Sequence, residues 1–316
     1  MNALHDALTE YLTMRRSLGF TLRLPASLLR SFVAFIERSG SPFITTELAL
    51  QWALQPTDAQ PSTWAGRLGI ARRFAVWRRA TDPRTEVPAD GLLPHRYRRK
   101  PPQLYRDQDV HRLVQTAGDL PSSKGLRGRS YAALFGLLAA TGMRVSEGLH
   151  LDRADVDLDQ GVLVIRRTKF GKSRLVPVHR STQDALRAYA DTRDRIVPRL
   201  LTPAFFVSER RTRITEWSAR YTFAVVSRTV GLRPPTRNHR HGRGPRIHDM
   251  RHRFAAQTLI NWYRAGVDVE RELPKLSTYL GHVHTNDTYW YLEAVPELLQ
   301  LAAERLMKKP AAEVAP

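Results

Sequence analysis

Hydrophobic positions in the first ninety residues recur every three to four residues, the spacing of one helical face. In "ALHDALTEYLTMRRSLG", Leu4, Leu8, Tyr11 and Leu12 line up and Gly19 ends the run. "PASLLRSFVAFIERSG" opens at Pro25, spaces Leu28, Leu29, Phe32 and Ile36, and stops at Gly40. "TTELALQWAL" offers Thr45 or Thr46 as its N-cap. "STWAGRLGIARRFAVWRRA" puts Trp64, Leu68 and Ala71 on one side and also carries Arg67, Arg72, Arg73, Arg78 and Arg79. Four helices are predicted here. "TDPRTEVPADGLLPHRYRRKPP" then breaks the period with proline, glycine and a basic cluster from Arg96 to Lys100, and residues 91–102 read as a linker.

Helical spacing returns in "RDQDVHRLVQTAG" and in the strongly apolar "RSYAALFGLLAATG", which Gly142 ends. The period then changes. Val162 to Ile165 form a β-rich run, "TKFGKS" a turn and "RLVPV" a second run, which together predict a hairpin. Helices resume with "STQDALRAYADTRDRI", capped by Ser181 or Thr182, and with "TEWSARYTFAVVSRTVG", capped by Thr215 and closed by Gly231. After the basic loop "LRPPTRNHRHGRGPR" come the helix "IHDMRHRFAAQTLINWYRAG", a short helix "LPKLSTYLG" with Pro274 near its start, and an amphipathic "VPELLQLAAERLMKK". The pattern predicts a mostly α protein with a small antiparallel β-sheet. It divides into a helical domain over residues 1–90, the linker, a second domain over 103–308 and a tail over 309–316.

Charge sharpens this picture. Fifty Lys and Arg stand against thirty Asp and Glu, a formal net charge of +20 in 316 residues. Much of the excess is arginine, whose fork matches phosphate geometry, so a polyanion partner such as double-stranded DNA is expected. A basic protein that is merely well solvated is the bland alternative. Arg67, Arg72 and Arg73 on the fourth helix, and Arg98, Arg99 and Lys100 in the linker, are the candidate phosphate contacts. The chain has no cysteine, so disulfides, thiolate nucleophiles and cysteine-based zinc sites are excluded. The longest apolar stretch, "YAALFGLLAATGM", is too short to span a bilayer and reads as a buried helix. The opening residues lack the basic start and apolar block of a signal peptide, so no membrane partner and a cytoplasmic location are expected.

Four segments can deliver phosphate chemistry. "TGMRVSEG" puts Arg144 after a glycine break at a helix start, and "TKFGKS" puts Lys169 in a turn. "HDMRH" puts His248 and Arg251 one helical turn apart, and "LGHVHTNDTYWYL" supplies His282 and a tyrosine. Cleaving a phosphodiester with a side chain requires a nucleophile, cations on the non-bridging oxygens and an acid for the leaving alkoxide. Two arginines, a lysine and a tyrosine activated by a neighbour meet those needs without a metal or other cofactor. Tyr289 and Tyr291 lie about 200° apart around a helix, so only one can face a given phosphate. His248 and His252 also have the i, i+4 spacing of zinc ligands, but aspartate follows the first histidine where a zinc protease helix places glutamate, and Arg251 would repel the ion.

In this order the segments resemble the tyrosine recombinase (phage integrase) family. "ATGMRVSEGLHLDRADVDL" looks like its first arginine block, "IHDMRHRFAAQTL" like its His-x-x-Arg block, and "YLGHVHTNDTYWYL" like its Leu-Gly-His block with the nucleophile nine residues on. The likeness covers roughly residues 103 to 307; the first ninety resemble the family's core-binding (SAM-like) domain only in outline. It implies a two-domain, C-shaped clamp on DNA, with a DNA breaking-rejoining fold in the catalytic domain. It implies Tyr291 as nucleophile, Arg144 and Arg251 as the phosphate clamp, and His248 and His282 as their assistants. Lys169 becomes the acid for the 5′ oxygen, with Lys172, three residues on, as its rival or a DNA contact. Glu147 would orient Arg144. The implied activity is site-specific DNA recombination through a 3′-phosphotyrosyl link by four protomers on paired sites. Sister recombinases or accessory DNA-bending proteins are possible partners. The ending "TYWYLEAVPELL" looks like transposon-borne integrases. Two other readings remain: a type IB topoisomerase, and a DNA-binding protein that has lost catalysis.

Overall fold

The computed structural model describes residues 3–94, 103–166, 173–199, 201–235, 244–282, 284, 288–289, 291 and 295–308. The chain divides into two compact units, Met1–Lys100 and Pro101–Pro316.

The first unit contains α1 (Ala3–Ser17), α2 (Arg23–Arg38), α3 (Thr46–Leu54) and α4 (Pro61–Arg79). Their apolar stripes meet in one core of Leu8, Tyr11, Leu29, Phe32, Ile36, Trp52 and Phe74, with Phe32 and Trp52 in ring contact at 4.9 Å. Burying each such large side chain contributes roughly 1.5–3 kcal/mol. Thr45 is the cap of α3 and accepts from the Leu48 N–H at 3.2 Å. α2 starts two residues earlier than its proline suggested. Leu22 turns the chain in a left-handed conformation, and Pro25 falls in the first helical turn, where a missing N–H leaves no bond unmade.

The second unit runs α5 (Asp107–Gly118), α6 (Arg127–Thr141), α7 (Val145–His150), a 3-10 turn (Arg153–Asp155), β1 (Val156–Asp157), β2 (Val162–Ile165), β3 (Arg174–Pro177), α8 (Arg180–Ile196), α9 (Glu216–Thr229), α10 (Asp249–Arg264) and α11 (Val269–Leu280); the helix over Pro296–Lys308 is α12. The fold is thus mostly helical with a small antiparallel sheet of three strands in the order β1-β2-β3. β1 has two residues, too few for a period to reveal, and pairs Val156 with Leu163. On β2 and β3, Leu163, Ile165 and Val176 turn into the core, while Leu175 is 64% exposed. This alternation places Arg174, opposite Ile165, on the inward face with Val176.

Two helix starts in the second unit differ from expectation. α8 is capped by His179, whose Nδ1 accepts from the Ser181 N–H at 3.3 Å, so Ser181 and Thr182 lie inside the first turn. α11 begins at Val269, capped by Asp268, and Pro274 lies inside it rather than near its start. The proline removes one intrahelical bond, and burial of Val269, Leu273, Leu276 and Leu280 offsets that loss. α12 packs on its own chain: Leu298 is buried in a cluster with Leu259, Leu273 and Tyr291. Among the described residues no helix is long and apolar enough to cross a membrane.

Candidate active site

Two helix ends build the site. α6 ends at Gly142, whose left-handed φ of 60° lets its N–H return to the Leu138 carbonyl at 3.0 Å. Two residues later Arg144 starts α7. Glu147, on the first turn of α7, accepts the Arg144 backbone N–H on Oε2 at 2.9 Å and its Nη1 on Oε1 at 2.9 Å.

α11 ends in a Schellman turn. Gly281, at φ 70°, donates its N–H to Thr278 at 2.9 Å, and His282 donates to Ser277 at 3.0 Å. The next carbonyls along the chain are taken by three arginines. Tyr279 accepts from Arg174 Nε at 2.7 Å, Leu280 from Arg251 Nη2 at 2.8 Å, and Gly281 from Arg144 Nη2 at 3.0 Å. The helix C-terminus carries partial negative charge, which favours cations there. Arg251 also donates from Nη1 to the Gly142 carbonyl at 2.9 Å.

Burial sets the charge states. Arg251 is 3% exposed and burial lowers its pKa to about 10, so it stays cationic at neutral pH. His248, where α10 begins, is pushed down to about 4 by burial and then by Arg251, so it is neutral. For Glu147 burial pulls the pKa up, but Arg174 and Arg144 outweigh it and hold the carboxyl below its usual range.

Tyr291 is 3% exposed and its ring contacts two imidazoles, with centroids 5.4 Å from His252 and 6.2 Å from His282. His252 in turn meets the His248 ring edge to face at 4.8 Å. His282 Nδ1 shares a 2.7 Å hydrogen bond with the hydroxyl of Thr288, which is fully buried. Tyr289 is 44% exposed, so the two tyrosines face opposite ways. Among the described residues no group of three or more His, Asp or Glu is arranged to hold a metal ion.

The structure therefore brings together Arg144, Glu147, His248, Arg251, His282 and Tyr291. Lys169, Lys172, Arg98, Arg99 and Lys100 lie outside the described residues. In the first unit Arg67 lies over the Trp52 ring at 4.0 Å and donates to the Trp52 carbonyl at 2.8 Å. Arg72 donates to the Pro88 carbonyl at 2.9 Å, and Arg73 is exposed. Two of these three arginines thus already hold their own unit together. Sequence motifs alone do not single out Arg174, Thr288 or the aromatic role of His252. For Arg174 the signal was present: in "RLVPV" it shares a face with Val176.

The sequence model of the Phage integrase family matches residues 104–297. A protein of Sinorhizobium fredii (strain NBRC 101917 / NGR234), whose name describes it as an integrase/recombinase, y4rB, is 49% identical over 313 residues, 98% of each chain. Tyrosine recombinase XerD of Neisseria meningitidis serogroup B is 29% identical over 258 residues, 80% of each chain. Among solved structures, the Tn1549 transposon integrase in complex with transposon right end DNA superposes over 97% of this chain and 100% of that one, with TM-score 0.64 and 15% identity, a likeness of fold. The chain belongs to the phage integrase family, the tyrosine-type site-specific recombinases.

Proposed function

We propose that this protein cuts and rejoins double-stranded DNA at specific sites through a 3′-phosphotyrosyl intermediate on Tyr291, to integrate or excise a mobile element. One observation carries the reading: segments remote in sequence bring Tyr291 into ring contact with two imidazoles, within electrostatic range of Arg251, whose neighbour on the α11 carbonyls is Arg144.

In this reading Arg144 and Arg251 hold the two non-bridging oxygens of the scissile phosphate. Anchoring to fixed carbonyls spares them reorganisation as charge builds in the transition state. The Tyr291 hydroxyl passes its proton to neutral His248 as its oxygen attacks phosphorus, the P–O5′ bond breaks, and Lys169 gives the leaving oxygen a proton. His282 exchanges hydrogen bonds with the phenol or the phosphate. A 5′ hydroxyl of the partner strand then attacks the phosphotyrosyl bond and releases Tyr291. Each exchange keeps one phosphoester for another, so no nucleotide is consumed. Exchanging two duplexes requires four cuts and four tyrosines, hence four protomers. The helical first unit and the basic cluster from Arg96 to Lys100 grip the duplex. The mobile-element assignment draws on the ending "TYWYLEAVPELL" and on the integrase/recombinase relative. Tyr291 is covered in the free chain, so DNA binding is expected to move its surroundings aside.

The test is covalent trapping. Wild type and Tyr291→Phe are incubated with nicked duplexes drawn from DNA flanking the gene, and adducts are resolved on denaturing gels and located by mass spectrometry. The expected result is an adduct on Tyr291 that the variant lacks. An adduct that survives the substitution moves the nucleophile elsewhere. Supercoil relaxation without recombinants would indicate topoisomerase action, and site binding without an adduct a DNA-binding protein.

A further inference from the structure

Arg174 occupies an inward-facing position on β3, where a lone charge would be costly. Its side chain is 11% exposed and all three of its nitrogens bond to protein. Nη1 and Nη2 grip the Glu147 carboxylate at 3.1 and 2.8 Å, and Nε holds the Tyr279 carbonyl at 2.7 Å. All three Arg174 nitrogens are thus engaged within the protein. What Arg174 grips is the carboxylate that holds Arg144 and the helix end whose next two carbonyls hold Arg251 and Arg144. It also abuts the turn itself: a Cβ on Gly281 would come within 2.7 Å of Arg174 Nη1.

Charge counting gives this arrangement a purpose. Two guanidiniums on one carboxylate leave the group with net charge +1 facing the phosphate. Without Arg174, Glu147 would cancel the charge of Arg144 and the pair would offer a phosphate dianion-like transition state nothing net. Coulomb forces in a site screened from water make that difference large.

We propose that Arg174 is a positioning residue for the cleavage described above: by sharing Glu147 it leaves Arg144 a net positive charge and fixes that guanidinium, together with strand β3, against the end of α11. The inference rests on the proposed cleavage at Tyr291.

The experiment compares single-turnover cleavage of two nicked duplexes. One carries an ordinary scissile phosphate. In the other a methylphosphonate replaces one non-bridging oxygen with an uncharged methyl group. A defect in charge stabilisation affects the first substrate far more than the second, whereas a merely structural defect slows both alike. Arg174→Met is expected to cut the phosphate about 100-fold more slowly, the scale for losing one transition-state donor, and the methylphosphonate within about threefold of wild type, with DNA affinity preserved. Arg174→Met with Glu147→Gln removes the cancelling charge as well and is expected to recover to within about tenfold of wild type on the phosphate. Arg174→Lys, which keeps the charge without the fork, serves if the methionine variant melts early, and is expected to retain the wild-type ratio of the two rates. Equal losses on both substrates, or an Arg174→Met chain that cuts the phosphate at full speed, would overturn the inference. A wild-type chain that forms no Tyr291 adduct would overturn the cleavage reading and this inference with it, and that control tells the two failures apart.

Discussion

Arg251 reaches across to Gly142, more than a hundred residues earlier in the chain, and donates to its carbonyl at 2.9 Å while its other terminal nitrogen donates to Leu280 at 2.8 Å. One guanidinium thereby ties the C-terminal ends of α6 and α11. Each of those ends is a glycine in the left-handed region, where a side chain is costly. The glycines at "ATGMR" and "YLGH" are therefore more than helix stops: they aim carbonyls at Arg251 and Arg144, the arginines proposed to hold the phosphate.

Alanine at either glycine should show this. Left-handed backbone costs an L side chain about 1–2 kcal/mol. At position 281 the new Cβ would also lie 2.7 Å from Arg174 Nη1, and at 142 it would lie 2.6 Å from Cδ1 of Phe254. In a unit of this size each kcal/mol lowers the melting temperature by about 2–4 °C. Both Gly142→Ala and Gly281→Ala are expected to melt several degrees early by calorimetry. Gly281→Ala is expected to lose more cleavage for the same loss of stability, because it displaces carbonyls of two clamp arginines. Matching cleavage losses in two equally destabilised variants would refute that ranking.

Arg251→Lys keeps a cation but cannot bridge two carbonyls and face a phosphate at once. The expected result is a folded chain whose DNA affinity falls only a few-fold and whose adduct formation falls about 10²–10³-fold, as when one preorganised donor is lost. Filter binding and covalent trapping on the same duplex separate the two effects. A lysine variant that cleaves at near wild-type rate would mean that charge alone suffices and that the bridging geometry is incidental.

Much of this arrangement can be read from local patterns. The apolar periods of α1 to α4 and α6 are long and strong. Arg144, His248, Arg251, His282 and Tyr291 stand in motifs whose spacing mirrors helix ends and turns. The features that local sequence does not reveal depend on contacts between remote segments. Nothing local to "LPKLSTYLG" reveals that five residues before Pro274 are helical, since tertiary burial of Val269 and Leu273 decides it. Nor does local spacing show that Glu147 serves two arginines, because the second arrives from a strand 27 residues on. Thr288 has no period of its own and matters only because His282 comes within reach of it.

Thr288→Val tests that last contact. Valine fills the same space in a fully buried position but leaves His282 Nδ1 without the hydroxyl. The net loss of a hydrogen bond is about 1 kcal/mol, so the melting temperature should fall by only a few degrees. With its ring no longer oriented, His282 is expected to support cleavage about tenfold more slowly, and trapping rates compared at equal folded fraction would show it. An unchanged rate would assign the Thr288 contact to packing alone.

His248 makes a prediction about pH. Burial, with Arg251 next, lowers its pKa from the usual 6.5 to about 4. Between those values the unfolded chain binds a proton that the folded chain excludes, so stability falls as pH drops from about 6.5 to about 4 and this group adds no further loss below. The full swing is of order 3 kcal/mol. Urea unfolding at pH 7 and at pH 4.5 measures it. His248→Gln supplies the baseline, since subtracting its pH dependence removes whatever Asp249 and the other nearby groups contribute. The wild type should lose more stability than the variant across that interval. The same protonation state bears on catalysis. A neutral imidazole at pH 6 can still accept a proton, so adduct formation at saturating DNA should show no His248-dependent decline between pH 7.5 and pH 6. A decline centred near 6.5 that vanishes in the variant would mean that His248 is solvated at the moment of cleavage, with the α10 end opened by DNA rather than closed as it is in the free chain.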